Sequence, residues 1–150
     1  MRVIIQRVSK ATVTINNSVY SNINQGLLLL LGVEEADLQR DIDWLVKKIS
    51  QMRIFSDKDG KMNLSVSDIN GEILVVSQFT LFASCKKGNR PSFTKSAKPE
   101  IAIPLYDSFV SKMNDSIKSE LKTGVFGADM KVELINDGPV TIILDSKNKE

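Results

Sequence analysis

Residues 26–32 read GLLLLLG, five consecutive leucines between two glycines, and the predicted fold is built outward from this run. A strand that is apolar on both faces lies in the middle of a sheet, because it needs cover above and below. The run therefore predicts a central strand over Leu27–Leu31. It is also far shorter than the roughly 20 apolar residues of a membrane span, so no membrane association is expected.

Upstream of the leucines, the sequence predicts three further strands. Apolar and polar side chains alternate with a period of two over Val3–Val8 and again over Ala11–Ile15, as they do in half-buried strands. Asn16-Asn17 then predicts a turn into a strand over Ser18–Ile23.

Downstream, two stretches have the three- and four-residue spacing of amphipathic helices. The first begins at about Asp37. The second covers about Ile103–Leu121, with Pro104 in its first turn and Gly124 at its end. The apolar positions of the first helix are Leu38, Ile42, Leu45, Ile49 and Met52.

The remaining apolar stretches predict strands. Asn70-Gly71 is a hairpin signal that precedes a long strand over Glu72–Phe82. Two last strands, Met130–Ile135 and Val140–Leu144, are separated by Asn136-Asp137-Gly138-Pro139. We therefore predict an α+β fold in which antiparallel or mixed β-sheets curl into a barrel-like core with two flanking helices.

The length of the chain, 150 residues, is that of one ordinary domain, so a single domain over residues 1–150 is expected. Residues 146–150 form a charged tail that is expected to fray. The N-terminus reaches a second charge at Arg7 before any signal-like apolar segment develops, which favours a cytoplasmic location.

The chain contains no histidine and a single cysteine, Cys85. The lack of histidine excludes Ser-His-Asp and Cys-His nucleophile systems and every imidazole acid–base step. One cysteine excludes a cysteine-rich zinc site and a redox pair. We therefore predict no metal site and no cofactor. An enzyme of this composition must use hydroxyls, amides, backbone groups, carboxylates or lysines, or a group of its substrate.

The net charge is only +2, so a nucleic-acid-binding field over the whole protein is not indicated. Five cations nevertheless gather in one segment that has no acidic residue between Cys85 and Pro99. They are Lys86, Lys87, Arg90, Lys95 and Lys98. From charge alone, a solvated loop and a loop that contacts phosphates are equally good interpretations.

Two segments carry polar groups where a purely structural role does not require them. Ser77, Gln78 and Thr80 interrupt an apolar strand, and period two would place Ser77 on one face and the other two on the opposite face. They mark either the ordinary end of an edge strand or a site where hydroxyls, an amide and backbone N–H groups converge on a reacting carbonyl. Gly138-Pro139 is either a simple turn or a cis element.

Six signature segments follow one another along almost the whole chain. They cover residues 2–8 with 11–13, then 26–28, 77–81, 87–93, 123–130 and 136–141. In residue types, order and spacing they resemble the D-aminoacyl-tRNA deacylases, also called the D-tyrosyl-tRNA deacylase family. The resemblance implies a homodimeric cytoplasmic ester hydrolase of translation quality control. Its substrate would be a D-amino acid esterified to the 3′-terminal adenosine of tRNA.

The resemblance also implies roles for particular residues. Ser77, Gln78, Phe79 and Thr80 would line the catalytic pocket, with backbone N–H groups near the scissile carbonyl. Met130 and the segment before it would hold the terminal adenosine.

In the same family pattern, Gly138-Pro139 would be a Gly–cisPro element that reaches into the partner subunit's pocket, and Arg7 would brace it. Lys86, Lys87 and Arg90 are placed against tRNA phosphates by their charge alone.

Two roles compete for Thr80, that of a nucleophile and that of a backbone donor. A threonine nucleophile needs a neighbouring base, and the motif offers neither an imidazole nor an acid. Assistance by the 2′-hydroxyl of the tRNA is therefore favoured, as the family is generally understood. If the backbone of Gly138-Pro139 rejects L side chains, glycine should not be excluded and should also be hydrolysed.

Two alternatives stay open. A non-catalytic tRNA-binding module is supported by the missing general base and the basic loop. A sibling deacylase that clears mischarged L-aminoacyl-tRNA is the other, and Arg7 beside an intact Asp137-Gly138-Pro139 favours the D-specific form.

Overall fold

A mixed sheet of six strands forms the centre of the molecule in the computed structural model, which describes residues 1–149. Two α-helices and a short 3₁₀ helix accompany it. The strands are β1 (Arg2–Ile15), β2 (Ser18–Ile23), β3 (Gly26–Gly32), β4 (Phe55–Ser56), β5 (Met62–Leu64), β6 (Glu72–Ser77), β7 (Leu121–Thr123) and β8 (Lys131–Asp145). The helices are α1 (Gln39–Gln51) and α2 (Pro99–Asp115), with the 3₁₀ helix over Phe79–Phe82.

The leucine run forms β3, and its predicted central position is confirmed. β3 pairs antiparallel with β1 on one side and parallel with β6 on the other. Leu27, Leu29 and Leu31 enter one apolar core, while Leu28 enters a second core on the opposite face. All four are at most 1% exposed.

The sheet curls until it nearly closes, which confirms the predicted barrel-like core. β1 pairs with β3 through its first half and with β2 through its second half, while β8 runs along its other side. The far end of the sheet returns to β2, where the Ser21 hydroxyl donates to the carbonyl of Thr123 over 2.8 Å. β6 and β7 are parallel, so the sheet is mixed.

The two predicted helices are present, but the second lies earlier than expected. α2 begins at Pro99, where the missing N–H of proline is not needed, so Pro104 lies inside the helix rather than in its first turn. It ends at Asp115, and Leu121 belongs to β7. The apolar period continues to Leu121 because this residue packs against the same core from a strand.

Two strand predictions are corrected. The long strand over Glu72–Phe82 ends at Ser77, and the chain then turns into the 3₁₀ helix. Asn70-Gly71 forms a turn, with Asn70 at φ 52°, but no hairpin follows it, because β6 pairs only in parallel within the described residues.

The two strands predicted around Asn136-Asp137-Gly138-Pro139 are one strand, β8, with a bulge. Gln6 pairs with Thr141 and Val8 with Asn136, so residues 137–140 lie opposite Arg7 alone. The Asn136 side chain closes the bulge by accepting from Val140 N (2.9 Å). Pairing with β1 on both sides keeps the strand continuous.

The beginning of the charged tail is anchored rather than frayed. Ser146 is buried, and its hydroxyl accepts from the N-terminal ammonium over 2.8 Å. Lys147 donates to the Asp41 carboxylate over 2.7 Å. Glu150, the last residue of the predicted tail, lies outside the described residues.

Over residues 1–149, neither helix is both long enough and apolar enough to cross a membrane.

Candidate functional site

A cavity of about 300 Å³ opens where β6 leaves the sheet. Its walls come from the ends of β3 and β6, the entry to the 3₁₀ helix, α2 and the segment before β8. Of the residues predicted from sequence, the cavity brings together Ser77, Gln78, Phe79 and Met130.

β6 ends at Ser77 because its pairing partner β3 also ends there. β3 ends at Gly32, and the last contact between the two strands is the bond from Gln78 N to Leu31 O (2.8 Å). A side chain at Gly32 would come within 3.1 Å of Leu81 and Phe82, so glycine makes room for the coil. The predicted alternation of faces therefore stops at Ser77.

Two backbone N–H groups at the start of the 3₁₀ helix have no acceptor within the helix. The first bond of this turn is donated by Leu81 N to Gln78 O over 3.3 Å. The N–H groups of Phe79 and Thr80 precede it, as the first N–H groups of a helix do. Such donors can stabilise negative charge that develops on a carbonyl oxygen.

The Thr80 hydroxyl is bonded to an amide, which is not a base. The Gln78 amide Nε2 donates to Thr80 Oγ1, so the hydroxyl accepts from a group that cannot take up its proton. Among residues 1–149, no group of three or more histidine, cysteine or acidic residues is placed to hold a metal ion.

Residues 126–130 form one wall of the cavity. Gly127 has φ 76°, a left-handed conformation that favours glycine at this turn. A Cβ at Gly124 would lie 2.5 Å from the Met130 sulfur, so this glycine lets Met130 pack beside the cavity. Tyr106 supports the wall by edge-to-face packing on Phe126 with ring centroids 5.6 Å apart.

The Tyr106 hydroxyl has a structural role. It donates to the carbonyl of Val75 over 3.1 Å, and burial raises the pKa of the phenol above its usual range. The group therefore stays neutral.

Gly138 and Pro139 lie on the exposed bulge of β8, and the peptide bond between them is cis. Neither belongs to the cavity lining described for their own chain over residues 1–149. Arg7, 8% exposed, lies beneath the bulge, where its Nε donates to Asp137 O (2.8 Å). Its Nη1 donates to Ile54 O (2.6 Å), so the guanidinium joins the bulge to the chain before β4.

Within residues 1–149, the basic residues are not part of the cavity lining. Lys86, Lys87 and Arg90 are exposed on a loop that two backbone hydrogen bonds between Ser84 and Ser92 close (2.8 and 2.9 Å).

Arg2, to which the sequence assigned no role, contacts the 3₁₀ helix next to the cavity. Its Nη1 donates to Leu81 O (2.6 Å), and its guanidinium lies 4.9 Å from the ring centre of Phe82. Its Nη2 donates to Asp145 over 2.8 Å. Burial would raise the pKa of Asp145, but the hydrogen bond and charge of Arg2 contribute to a pKa below its usual value. These partners are distant in sequence, so no local pattern could reveal them.

Comparison with known proteins gives a consistent result. The model of the D-Tyr-tRNA(Tyr) deacylase family matches residues 4–145. The D-aminoacyl-tRNA deacylases of Flavobacterium psychrophilum and Bacteroides thetaiotaomicron are 64% and 59% identical over 150 residues, which is the full length of both chains in each pair.

Two solved structures are also similar. The protein described as c-Myc DNA Unwinding Element Binding Protein has a TM-score of 0.91 at 41% identity, covering 97% of this chain and 98% of that one. A probable eukaryotic D-amino acid tRNA deacylase has a TM-score of 0.81 at 18% identity, covering 95% and 97%, and supports the fold alone.

Proposed function

Since this chain belongs to the D-Tyr-tRNA(Tyr) deacylase family and is a D-aminoacyl-tRNA deacylase, we propose how its residues hydrolyse the ester between a D-amino acid and the 3′-terminal adenosine of tRNA. The observation that carries the proposal is the cavity at the end of β6, where Ser77, Gln78, Phe79 and Met130 meet. Purified protein should release the D-amino acid in the presence of EDTA. Loss of activity that zinc restores would contradict this mechanism.

Catalysis rests on the backbone of the β6 end. The N–H groups of Phe79 and Thr80 are proposed to bind the ester carbonyl as it gains negative charge. One such donor commonly contributes about 3–4 kcal/mol to the transition state. Because an aminoacyl ester is already activated, its hydrolysis needs little further stabilisation of the transition state.

The proton transfer is assigned to the substrate. The Thr80 hydroxyl is bonded to the Gln78 amide, and neither group is a base at neutral pH. The 2′-hydroxyl of the terminal ribose is adjacent to the ester, and we propose that it assists the reaction. Met130 and the segment before it are proposed to hold the adenosine.

Chirality is proposed to be read by backbone atoms of Gly138 and Pro139 from the partner subunit. Their carbonyls would accept from the α-ammonium of the substrate. With the ammonium and the ester both fixed, a D side chain points outward, whereas an L side chain meets the proline. Glycine has no side chain to reject, so glycyl-tRNA is proposed to be a substrate as well.

A homodimer is proposed because β8 has an open edge and exposed apolar side chains. Within the described residues β8 pairs only with β1, so its other edge is open. Ile135 and Ile143 on this strand are 51% and 64% exposed. The same strand carries Gly138 and Pro139, so its pairing with a second copy would bring them near the partner's cavity. Because tRNA is the substrate, the cytoplasm is the proposed location.

Arg2 is expected to position the catalytic 3₁₀ helix. Arg2→Ala removes the donor to Leu81 O and should lower kcat about tenfold with little change in KM, because a shifted donor stabilises the transition state less well. Arg2→Lys keeps a donor and should recover part of the loss. Steady-state kinetics measure this, with Lys112→Ala, which breaks the exposed ion pair with Asp43, as the control. An equal loss in the control would contradict the assignment.

The basic loop is expected to supply affinity without chirality. Replacing Lys86, Lys87 and Arg90 with alanine should weaken tRNA binding and reduce the slope of log Kd against log salt by about 2, since each phosphate contact contributes roughly 0.7–0.9. Selectivity for D over L should survive.

A matched control for the loop variant replaces three exposed cations of α1 and should leave the salt slope unchanged. These are Arg40, Lys47 and Lys48. If the loop variant loses D/L selectivity while its binding holds, the loop has another role.

A further inference from the structure

Two phenylalanines at the cavity mouth are not explained by folding. Phe79 is 57% and Phe93 is 36% exposed, and neither ring belongs to the two apolar cores. The rings contact each other edge to face, with centroids 5.1 Å apart and planes at 72°. In an edge-to-face pair, at least one face of each ring is not covered by the other ring.

This aromatic pair is held in place from both sides. The Ser96 hydroxyl donates to Phe79 O over 2.8 Å, and Ala97 N donates to Val33 O over 2.9 Å. The Ser84–Ser92 pairing fixes the other side of Phe93. The two rings therefore have fixed positions on a loop that is held by hydrogen bonds.

The pair lies at the edge of the cavity, where the nucleotides that precede the terminal adenosine would lie. A cavity of about 300 Å³ is at the small end of ligand sites, so nucleotides before the terminal adenosine must lie outside it. Phe79 lines the cavity, Phe93 contacts Phe79, and the exposed Lys86, Lys87 and Arg90 lie on the loop that leads to Phe93. Free aromatic faces next to cations are typical of surfaces that bind single-stranded nucleic acid.

We propose that Phe93, supported by Phe79, is the stacking platform for the base of the nucleotide that precedes the terminal adenosine of the tRNA. This rests on the proposed function, because it takes the aminoacyl end of tRNA as the occupant of the cavity. Stacking needs only the flat face of a base, so the platform adds affinity without reading the amino acid.

The test combines a protein change with an RNA change. The Kd of wild type and Phe93→Leu is measured by fluorescence anisotropy for deacylated tRNA with an intact or an abasic penultimate nucleotide. Wild type should bind the abasic tRNA on the order of tenfold more weakly. Phe93→Leu should bind intact tRNA with a similar loss and show no further loss with the abasic one. Phe93→Trp should restore the dependence on the base.

A control variant, Tyr20→Leu, removes a 54% exposed ring on β2 and should keep the full dependence on the base. The platform assignment is overturned if Phe93→Leu and the abasic site weaken binding independently. It is also overturned if neither change has an effect, and that result indicates that another surface, such as a second copy of the chain, covers the rings. Deacylation of D-aminoacyl-tRNA by wild type is measured in parallel. If wild type deacylates the substrate but Phe93→Leu and the abasic site act independently on binding, the platform alone is overturned. If their effects depend on each other but no deacylation occurs, the platform is supported and the proposed function is overturned.

Discussion

Gly138→Ala is expected to lower kcat/KM for D-aminoacyl-tRNA by about 100-fold in a protein that remains folded. Gly138 has φ 133°, in the left-handed region that L side chains rarely adopt. A Cβ there would lie 2.7 Å from Arg7 Nη2 and 2.9 Å from a Val140 methyl group. The bulge must therefore shift, and a displacement of about 1 Å at a positioning element can cost about 100-fold in rate.

The matched control is Gly60→Ala. Gly60 also has a positive φ, 78°, but a Cβ there meets nothing within 4 Å. This variant should share the backbone strain and keep its activity. Thermal unfolding of both variants separates loss of function from loss of fold. Equal activity losses in the two would contradict the role of Gly138.

A mixing experiment tests which subunit the bulge serves. Ala128 lines the cavity, so Ala128→Trp should block it. If Gly138 completes the partner's pocket, a mixed dimer of Gly138→Ala and Ala128→Trp contains one intact site. Mixing the two inactive proteins should then restore activity, up to one site per mixed dimer. No recovery in mixed dimers verified by mass would show that each bulge serves its own chain.

A tRNA that ends in 2′-deoxyadenosine is expected to be hydrolysed at least about 100-fold more slowly than the normal substrate. If its 2′-hydroxyl performs the proton transfer, its removal should cost what a general acid–base group usually contributes, roughly 10²–10⁴-fold. The aminoacyl ester is on the 3′-oxygen in both substrates. Single-turnover rates with saturating protein measure the chemical step.

Thr80→Ala is the matched change on the protein side. It removes the hydroxyl bonded to Gln78 but keeps the backbone N–H, so substantial activity should remain. A trapped acyl-Thr80 intermediate, or unchanged hydrolysis of the 2′-deoxy substrate, would overturn the assignment.

The fold could be predicted where local pattern and burial agree. Leu27–Leu31 is apolar on both faces, and the structure covers it on both. The prediction failed where strand pairing depends on a residue far away in the sequence. The predicted strand continues to Phe82, but β3 ends at Gly32 and offers no further strand to pair with, so residues 79–82 form a 3₁₀ helix.

The candidate site shows the same division. Ser77 and Gln78 could be found because polar side chains interrupt an apolar strand, and the structure places both on the cavity. The contact of Arg2 with Leu81 spans 79 residues, so only the folded chain reveals it. The bond from Arg7 to Ile54 O likewise joins elements far apart in sequence.

The most direct test compares deacylation rates of one tRNA charged with D-tyrosine, L-tyrosine or glycine, with purified protein under identical conditions. Rejection by the backbone of Gly138 and Pro139 predicts hydrolysis of the D-tyrosyl and glycyl esters and resistance of the L-tyrosyl ester. Hydrolysis of the L-tyrosyl ester at the D rate would indicate a deacylase of the other chirality. Binding without hydrolysis would indicate a non-catalytic module. Glycyl-tRNA that resists as fully as L-tyrosyl-tRNA would contradict rejection by the backbone.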